Sequence, residues 1–164
     1  MMPRIVVILL SLTVLCCAGC LYPAPVDTVD PIPPVVVNEC VRTEVPTPSD
    51  EFKEATKAVR GFIVDPADAI TAAQFYVDFA DVVDRDTDII KTTGAIRKGF
   101  IHAETLMLQR TELVGKYPGF GAAKDTILEA QLGLEDVQLS PEKRKKAVDT
   151  FRAIAWSIQD GALN

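Results

Sequence analysis

Histidine, cysteine and tryptophan are scarce in this chain, and each scarcity closes off a kind of chemistry. The 164 residues include one histidine, four cysteines and one tryptophan. A zinc site draws its three or four protein ligands mainly from His and Cys. His102 has no second histidine or cysteine pair to join, and with Glu104 it makes only an isolated His-x-Glu. Four cysteines are too few for a fold built on disulfides. One tryptophan and three tyrosines, of which Tyr22 falls in the N-terminal part, give few platforms for stacking a sugar between the paired carboxyls of a glycosidase. Positive charge is not in excess either: 17 basic residues face 23 acidic ones, a net charge of −6. That balance excludes a nucleic-acid binder held by bulk positive charge.

What is present is unevenly spread. Fourteen of the first 19 residues are apolar. Arg4 precedes an apolar run, Ile5 to Cys17, and the small residues Ala18 and Gly19 then lead to Cys20. A basic start, an apolar core and small residues before a cut point describe an export signal. The alternative is a single membrane anchor, since through Tyr22 the run reaches about 18 residues, the lower edge of a bilayer span. Against it, no basic cluster follows and prolines begin at Pro23.

Cys17-Ala18-Gly19-Cys20 resembles the lipobox of bacterial lipoproteins, whose common form is Leu-Ala-Gly-Cys. Ala18 and Gly19 match, while Cys17 stands where leucine is usual. The resemblance implies that the Cys20 thiol receives a diacylglyceryl group, that residues 1–19 are cut away and that the new amine is acylated. Buried methylenes contribute roughly 0.8 kcal/mol each and one chain anchors only marginally, so two or three chains on Cys20 are what make the anchor durable. Leu21 rather than Asp at the next position implies, by analogy with enteric lipoproteins, the outer membrane facing the periplasm. In a host with one membrane the expected site is the outer face of the cell membrane.

Residues 21–50 hold seven prolines and no glycine. Proline removes backbone donors and fixes φ, so residues 20–50 read as an extended, polyproline-like tether. At about 3.1 Å per residue it reaches up to about 90 Å. Pro34-Val-Val-Val37 also suits an edge strand added to a partner, although a passive spacer is the preferred reading. Once Cys16 and Cys17 leave with the signal and Cys20 carries lipid, Cys40 has no partner in its own chain. An odd cysteine in an oxidising compartment implies an intermolecular bridge or a free thiol. A homodimer linked through Cys40 and an unpaired exposed thiol both stay open.

Residues 51–164 show helical periodicity and no convincing strand. Asp50 and Glu51 open a first helix with the face Phe52, Ala55, Val59 and Phe62. Asp65-Pro66 starts a second, with Ile70, Ala73, Val77, Ala80 and Val83 inward and Phe75, Tyr76 and Phe79 broadening the face. Thr93-Gly94 starts a third, carrying Ile96, Phe100, Ala103, Met107 and Val114 and stopped by Gly115 and Tyr117-Pro118-Gly119. A shorter fourth helix has Ala123, Ile127 and Ala130, and ends near Gly133. Ser140-Pro141-Glu142 starts a fifth with Val148, Phe151, Ala155 and Ile158, flanked by Ile154 and Trp156. The expected fold is all-α: a compact bundle of about five amphipathic helices on an N-terminal tether.

Few patterns in that domain carry chemistry. Asp84, Asp86 and Asp88 copy the first three ligand positions of a calcium loop, but Ile89 replaces the turn glycine and Ala95 the final glutamate. They are weak cation candidates, better read as a solvated helix end. Lys143, Arg144, Lys145 and Lys146 are a candidate contact for an anionic partner, though Glu142–Lys146 pairing on a solvent face also explains them. Serine catalysis needs a base and an orienting group. His102 would have to use Ser157, because Ser140 is committed as a cap. Gly115-Lys116 and Gly119-Phe120-Gly121 lack the strand and spacing of a phosphate loop and read as helix stops.

No catalytic residue, cofactor or firm metal site is therefore expected. The expected function is a membrane-anchored envelope lipoprotein that presents a helical domain to an envelope protein partner, as scaffold, assembly factor or inhibitor. A second expectation rests on residues 1–48. A lipobox, a Pro-rich segment and a leftover cysteine resemble phage outer-membrane spanin lipoproteins, which act in lysis, and small lipoproteins that exclude superinfection. An enzyme acting on the cell wall is the third and least favoured.

Overall fold

A computed structural model of the chain describes residues 43–111 and 113–164. These residues belong to one compact unit. The signal, Cys20, the Pro34–Val37 run and Cys40 lie outside the described residues. Among the described residues there is no sheet, only an isolated bridge between Thr92 and Gln138. The helices are α1 (Asp50–Thr56), continued by a 3-10 turn (Lys57–Val59), α2 (Pro66–Arg85), α3 (Thr93–Thr111), α4 (Leu113–Lys116), α5 (Phe120–Leu132) and α6 (Pro141–Leu163).

The starts form where the caps put them. Asp65 accepts from the amides of Ala67 (2.9 Å) and Asp68 (3.1 Å), with Pro66 in the first turn of α2. Ser140 accepts from the Lys143 amide at 3.2 Å, ahead of Pro141. The start of α3 has a local and a distant partner. Thr92 accepts from the Ala95 amide, and the Asp136 carboxylate, from the α5–α6 loop, accepts from the Gly94 amide at 2.8 Å. A Cβ on Gly94 would stand 2.4 Å from that carboxyl carbon, so the close approach requires glycine. Thr93 completes the clamp by donating to the Glu135 carbonyl at 2.6 Å. One end of the bundle is thereby tied shut.

α2, α3, α5 and α6 alternate in direction. Arg144, near the start of α6, meets the carbonyls of Val83 and Asp86 at the end of α2, and Phe151 meets Tyr76 further back, so α6 runs antiparallel to α2. Gly99 lies beside Phe79, while Asp68 meets Lys116 and Tyr117 further on, so α3 also opposes α2. α5 returns along α3, with Lys124 beside Glu104 and Gly133 beside Arg97. α1 lies on α6, where Thr56 and Ser157 share a buried hydrogen bond of 2.7 Å.

The core is an aromatic cluster with alanines around it. Phe79 and Phe151 are 4.9 Å apart between ring centres, Phe100 and Phe151 5.2 Å, and Phe79 and Phe100 5.3 Å. Such pairs add about 0.5–1.5 kcal/mol each beyond the area they bury. Ala69, Ala72, Ala73 and Ala80 on α2 and Ala147 and Ala155 on α6 are fully buried, which lets these two helices pack closely along their length.

Three sequence expectations shift. The first helix ends at Thr56, and its 3-10 turn at Val59, before Phe62, because Gly61 (φ 81°) turns the chain away. On α5, Ala130 faces solvent, and Phe120, Lys124, Ile127 and Leu128 form the buried face. Residues 43–49, grouped with the tether for their prolines, lie on the domain, with Val45 packed against the core.

Candidate functional site

Two hollows flank α3, because only its inward face fills space in the bundle. Ile96 and Phe100 are buried, whereas Ile101 is 61% exposed on the α5 side and Leu106 45% exposed on the α2 side. The helix therefore carries apolar residues on both flanks of its polar outer stripe.

The hollow between α3 and α5 has a volume of about 310 Å³. Its walls are Phe100, Phe151, Leu128 and Leu132, and Ile101 and Leu134 stand at its lip. Lys124 is only 4% exposed there. Its ammonium donates to both oxygens of Glu104, at 2.7 and 2.8 Å, and pairs with Asp125 at 2.9 Å. It also lies 5.2 Å from the centre of the Phe100 ring, a cation–π distance. Two hydrogen bonds to Glu104 and the ion pair with Asp125 thus compensate the buried charge. Arg97 holds the other end by donating to the carbonyls of Gly133 and Leu134, the last of these at 2.6 Å. Beneath the hollow, the Tyr76 phenol is fully buried and has no hydrogen-bond partner among the described residues. Burial, and then the carboxylates of Glu104 and Asp125, push it well above the ordinary tyrosine range.

The second hollow is a wider trough, about 680 Å³, over the outer side of α2. Its apolar lining comes from Ile70, Phe75 and Val82 on α2 and Ala103, Leu106 and Met107 on α3. Gln74 and Asp78, joined by a 2.7 Å hydrogen bond, run along it, and Thr43 closes one side.

The structure separates most of the residues that sequence grouped. Arg144 leaves the basic run and turns inward, donating to the carbonyls of Val83, Ile90 and Asp86, the last at 3.3 Å. It caps the end of α2 and holds the loop behind it, which a fixed guanidinium fork can do. Lys143, Lys145 and Lys146 are exposed, and Lys145 pairs with Asp149 at 2.5 Å. The expected Glu142–Lys146 pair is not among the described contacts. Glu142 instead turns back to the helix start, where Ser140 and its own amide hold its carboxyl below the ordinary range.

Asp84, Asp86 and Asp88 do not converge. Asp86 ends α2 and accepts from the Ile89 amide at 2.9 Å, a bond that ties the turn, while Asp84 and Asp88 are exposed. Among the described residues no three His, Cys, Asp or Glu side chains are placed to hold a metal ion. His102 is exposed on the outer stripe of α3, and Ser157 is buried against Thr56. Lys116, from the Gly115-Lys116 fragment, pairs with Asp68, which also accepts from the Tyr117 phenol at 2.6 Å. The Lys116 contact first and the Tyr117 bond second hold the Asp68 carboxyl below its ordinary range.

Sequence reasoning missed Lys124 and met Glu104 only as the neighbour of His102, not as the partner of a buried lysine. A lysine on an α5 face otherwise made of Phe120, Ile127 and Leu128 was the available signal, since a lysine is almost never buried without a partner. Among the described residues no helix is long and apolar enough to cross a membrane. Fold and hollows together define an all-α bundle with two apolar-lined surfaces. Compared with protein-family models, curated proteins and solved structures, the chain shows no match.

Proposed function

We propose that the protein is a lipid-anchored envelope lipoprotein whose helical domain binds a protein partner and performs no catalysis. The observation that carries the binding role is the α3–α5 hollow, with apolar walls, a fixed internal ion pair and two projecting apolar residues, Ile101 and Leu134. Leu134 is 71% exposed, beside a pocket deep enough for one large side chain. Buried anchors in such pockets supply most of the energy of an interface. The exposed acids Asp125 and Glu129 sit one turn apart on the rim, so the matching segment carries an apolar side chain next to a lysine or arginine.

The anchoring half of the reading rests on Cys20 and the apolar run before it. The non-catalytic half is supported by the duties of the candidate nucleophiles: Ser140 caps α6 and Ser157 bonds Thr56. A photo-crosslinking amino acid at position 101 of the full chain, in its native membrane, tests the binding role. The expected result is a discrete adduct that falls about tenfold with Leu134→Asp. An adduct no stronger than from position 146, or one indifferent to Leu134→Asp, means the hollow is not the docking site.

A further inference from the structure

The segment ahead of α1 covers a stripe of α6. Residues 43–49 carry Pro46 and Pro48, and the residue before each proline is pushed to extended backbone. Ser49 is extended as well, at φ −62° and ψ 160°. Pro46 and Pro48 line one hollow with Phe52, Lys145 and Arg152, and Thr43 and Val45 line the next with Trp156 and Gln159. The segment is therefore a strap that runs antiparallel to α6. Beneath it lie Lys145, Asp149, Arg152, Trp156 and Gln159, spaced four, three, four and three residues apart and so on one helix face. From Lys145 to Gln159 the helix rises about 21 Å, and about seven residues of polyproline-like chain span that length.

The strap fills this groove poorly. Val45 packs against the core, but among the described contacts residues 43–48 make no hydrogen bond or ion pair with the domain. A hollow of about 480 Å³ remains between the strap and Trp156 and Gln159. Gln159 is 2% exposed, and its Nε2 has no acceptor among the described residues. One turn earlier, the Trp156 indole N–H also makes no hydrogen bond among the described contacts, and Lys53 stands 5.7 Å from the ring centre. Buried donors are rarely left without an acceptor, so an unanswered amide under a loosely held strap points to a missing ligand.

The chemistry of the groove selects the ligand. Two donors and an aromatic plane, one turn apart, call for free carbonyls beside flat apolar rings. A polyproline-like chain has both, because it makes no internal hydrogen bonds and its pyrrolidine rings pack on aromatic side chains. A helix would keep its carbonyls for itself, and a lone apolar side chain would leave Gln159 unanswered. The strap is a short chain of the same kind, so the groove already admits that shape.

We infer that this α6 stripe is a docking groove for an extended, proline-containing segment of a partner protein, and that residues 43–49 are a displaceable strap that covers it in the partner's absence. Carbonyls of the partner segment accept from Gln159 Nε2 and the Trp156 N–H, and a proline ring lies on the indole. The groove shares no lining residue with the α3–α5 hollow, so it is a second surface and stands whether or not that hollow binds.

Trp156 is the chain's only tryptophan, so its fluorescence reports on the groove. Titrating the full chain with a decaproline peptide is expected to shift the emission saturably, while a Gly-Ser peptide of equal length leaves it unchanged. Gln159→Leu is close in size and removes one donor, so it is expected to weaken binding about tenfold. Val45→Ser loosens the strap and is expected to tighten binding at least about fivefold, because the covering segment is then more often away. Trp156→Leu, followed by calorimetry, is expected to abolish binding, and circular dichroism melting confirms the fold of each variant. No saturable shift at millimolar decaproline, in wild type and Val45→Ser alike, overturns the proposal. So does binding indifferent to Gln159→Leu. Binding weakened by Val45→Ser would make the strap part of the site and overturn its role as a cover. Replacing Pro23, Pro25, Pro31, Pro33 and Pro34 by alanine separates the sources of the segment. Unchanged decaproline affinity is expected. A rise of about tenfold assigns the groove to the chain's own prolines, in cis or from a second copy, and overturns the partner.

Discussion

Lys124 and Glu104 set two opposite charges in a wall of phenyl and leucine side chains, with side-chain exposures of 5% and 13%. The pair is held together mainly because breaking it strands a charge away from water. Glu104→Ala is expected to cost about 3 kcal/mol, while Lys124→Met with Glu104→Leu is expected to be neutral or stabilising. Urea denaturation of the three proteins decides it, and a double variant as unstable as the single one would refute the account. Asp68 makes a prediction in pH. Hydrogen bonds from Lys116 and Tyr117 hold its folded carboxyl below the ordinary value of 3.8. A depressed carboxyl stabilises the fold above its unfolded pKa, and the contribution is lost as pH falls through the folded one. The stability gap between wild type and Asp68→Asn is therefore expected to be full at pH 6 and to close toward about pH 2. Denaturation curves across that window measure it, and a gap that stays constant counts against the contact.

At the scale of the helix, Arg144 joins two elements that are far apart in sequence. It bonds carbonyls at the end of α2 and in the loop beyond it, groups that a helix cannot satisfy within itself. Arg144→Met is expected to cost about 2 kcal/mol, and Arg144→Lys to recover only part, because one ammonium cannot span three carbonyls. Lys143→Ala and Lys146→Ala are expected to change stability by less than about 0.5 kcal/mol. Thermal melts of the four variants rank them, and equal effects along the run would restore its reading as one patch.

The same residue marks where sequence stops being informative. Asp65-Pro66 and Ser140-Pro141 announce their helices because a cap acts within four residues. The inward face of α6, Val148 to Ile158, is legible for the same reason: its period is local. Arg144 looks like its neighbours until α2 is laid beside it. Asp136 caps α3 from 42 residues away, and Lys124 shows its role only with Glu104 opposite. Both hollows arise from the seating of α3, which depends on the bulk of Phe100 against Phe75, Phe79 and Phe151. No local pattern carries that information. The candidate site therefore came from packing, and the fold class from periodicity.

At the scale of the whole molecule, the domain is one part of a proposed arrangement of anchor, tether and bundle. If Cys20 carries the anchor, Cys20→Ala is expected to lose a palmitate-analogue label and to move the protein from the membrane to the soluble fraction. Labelling followed by fractionation reads both, and a label that persists in that variant assigns the lipid elsewhere. The anchor would confine the protein to a surface, where two copies meet far more often than at the same average concentration in solution.

The close packing of α2 on α6 has a consequence for how the protein is made. Phe151, Ile154 and Ile158 complete the core of a helix that begins at Pro66, so the largest internal surface joins segments some seventy residues apart. Until α6 has emerged from the ribosome, α2 lacks its main packing partner and has only α3 beside it, and short helical segments alone are marginal in water. The core of the nascent chain can thus be completed only at the end of its synthesis. If residues 1–19 direct export, as proposed, that late closure suits passage through a narrow secretion channel.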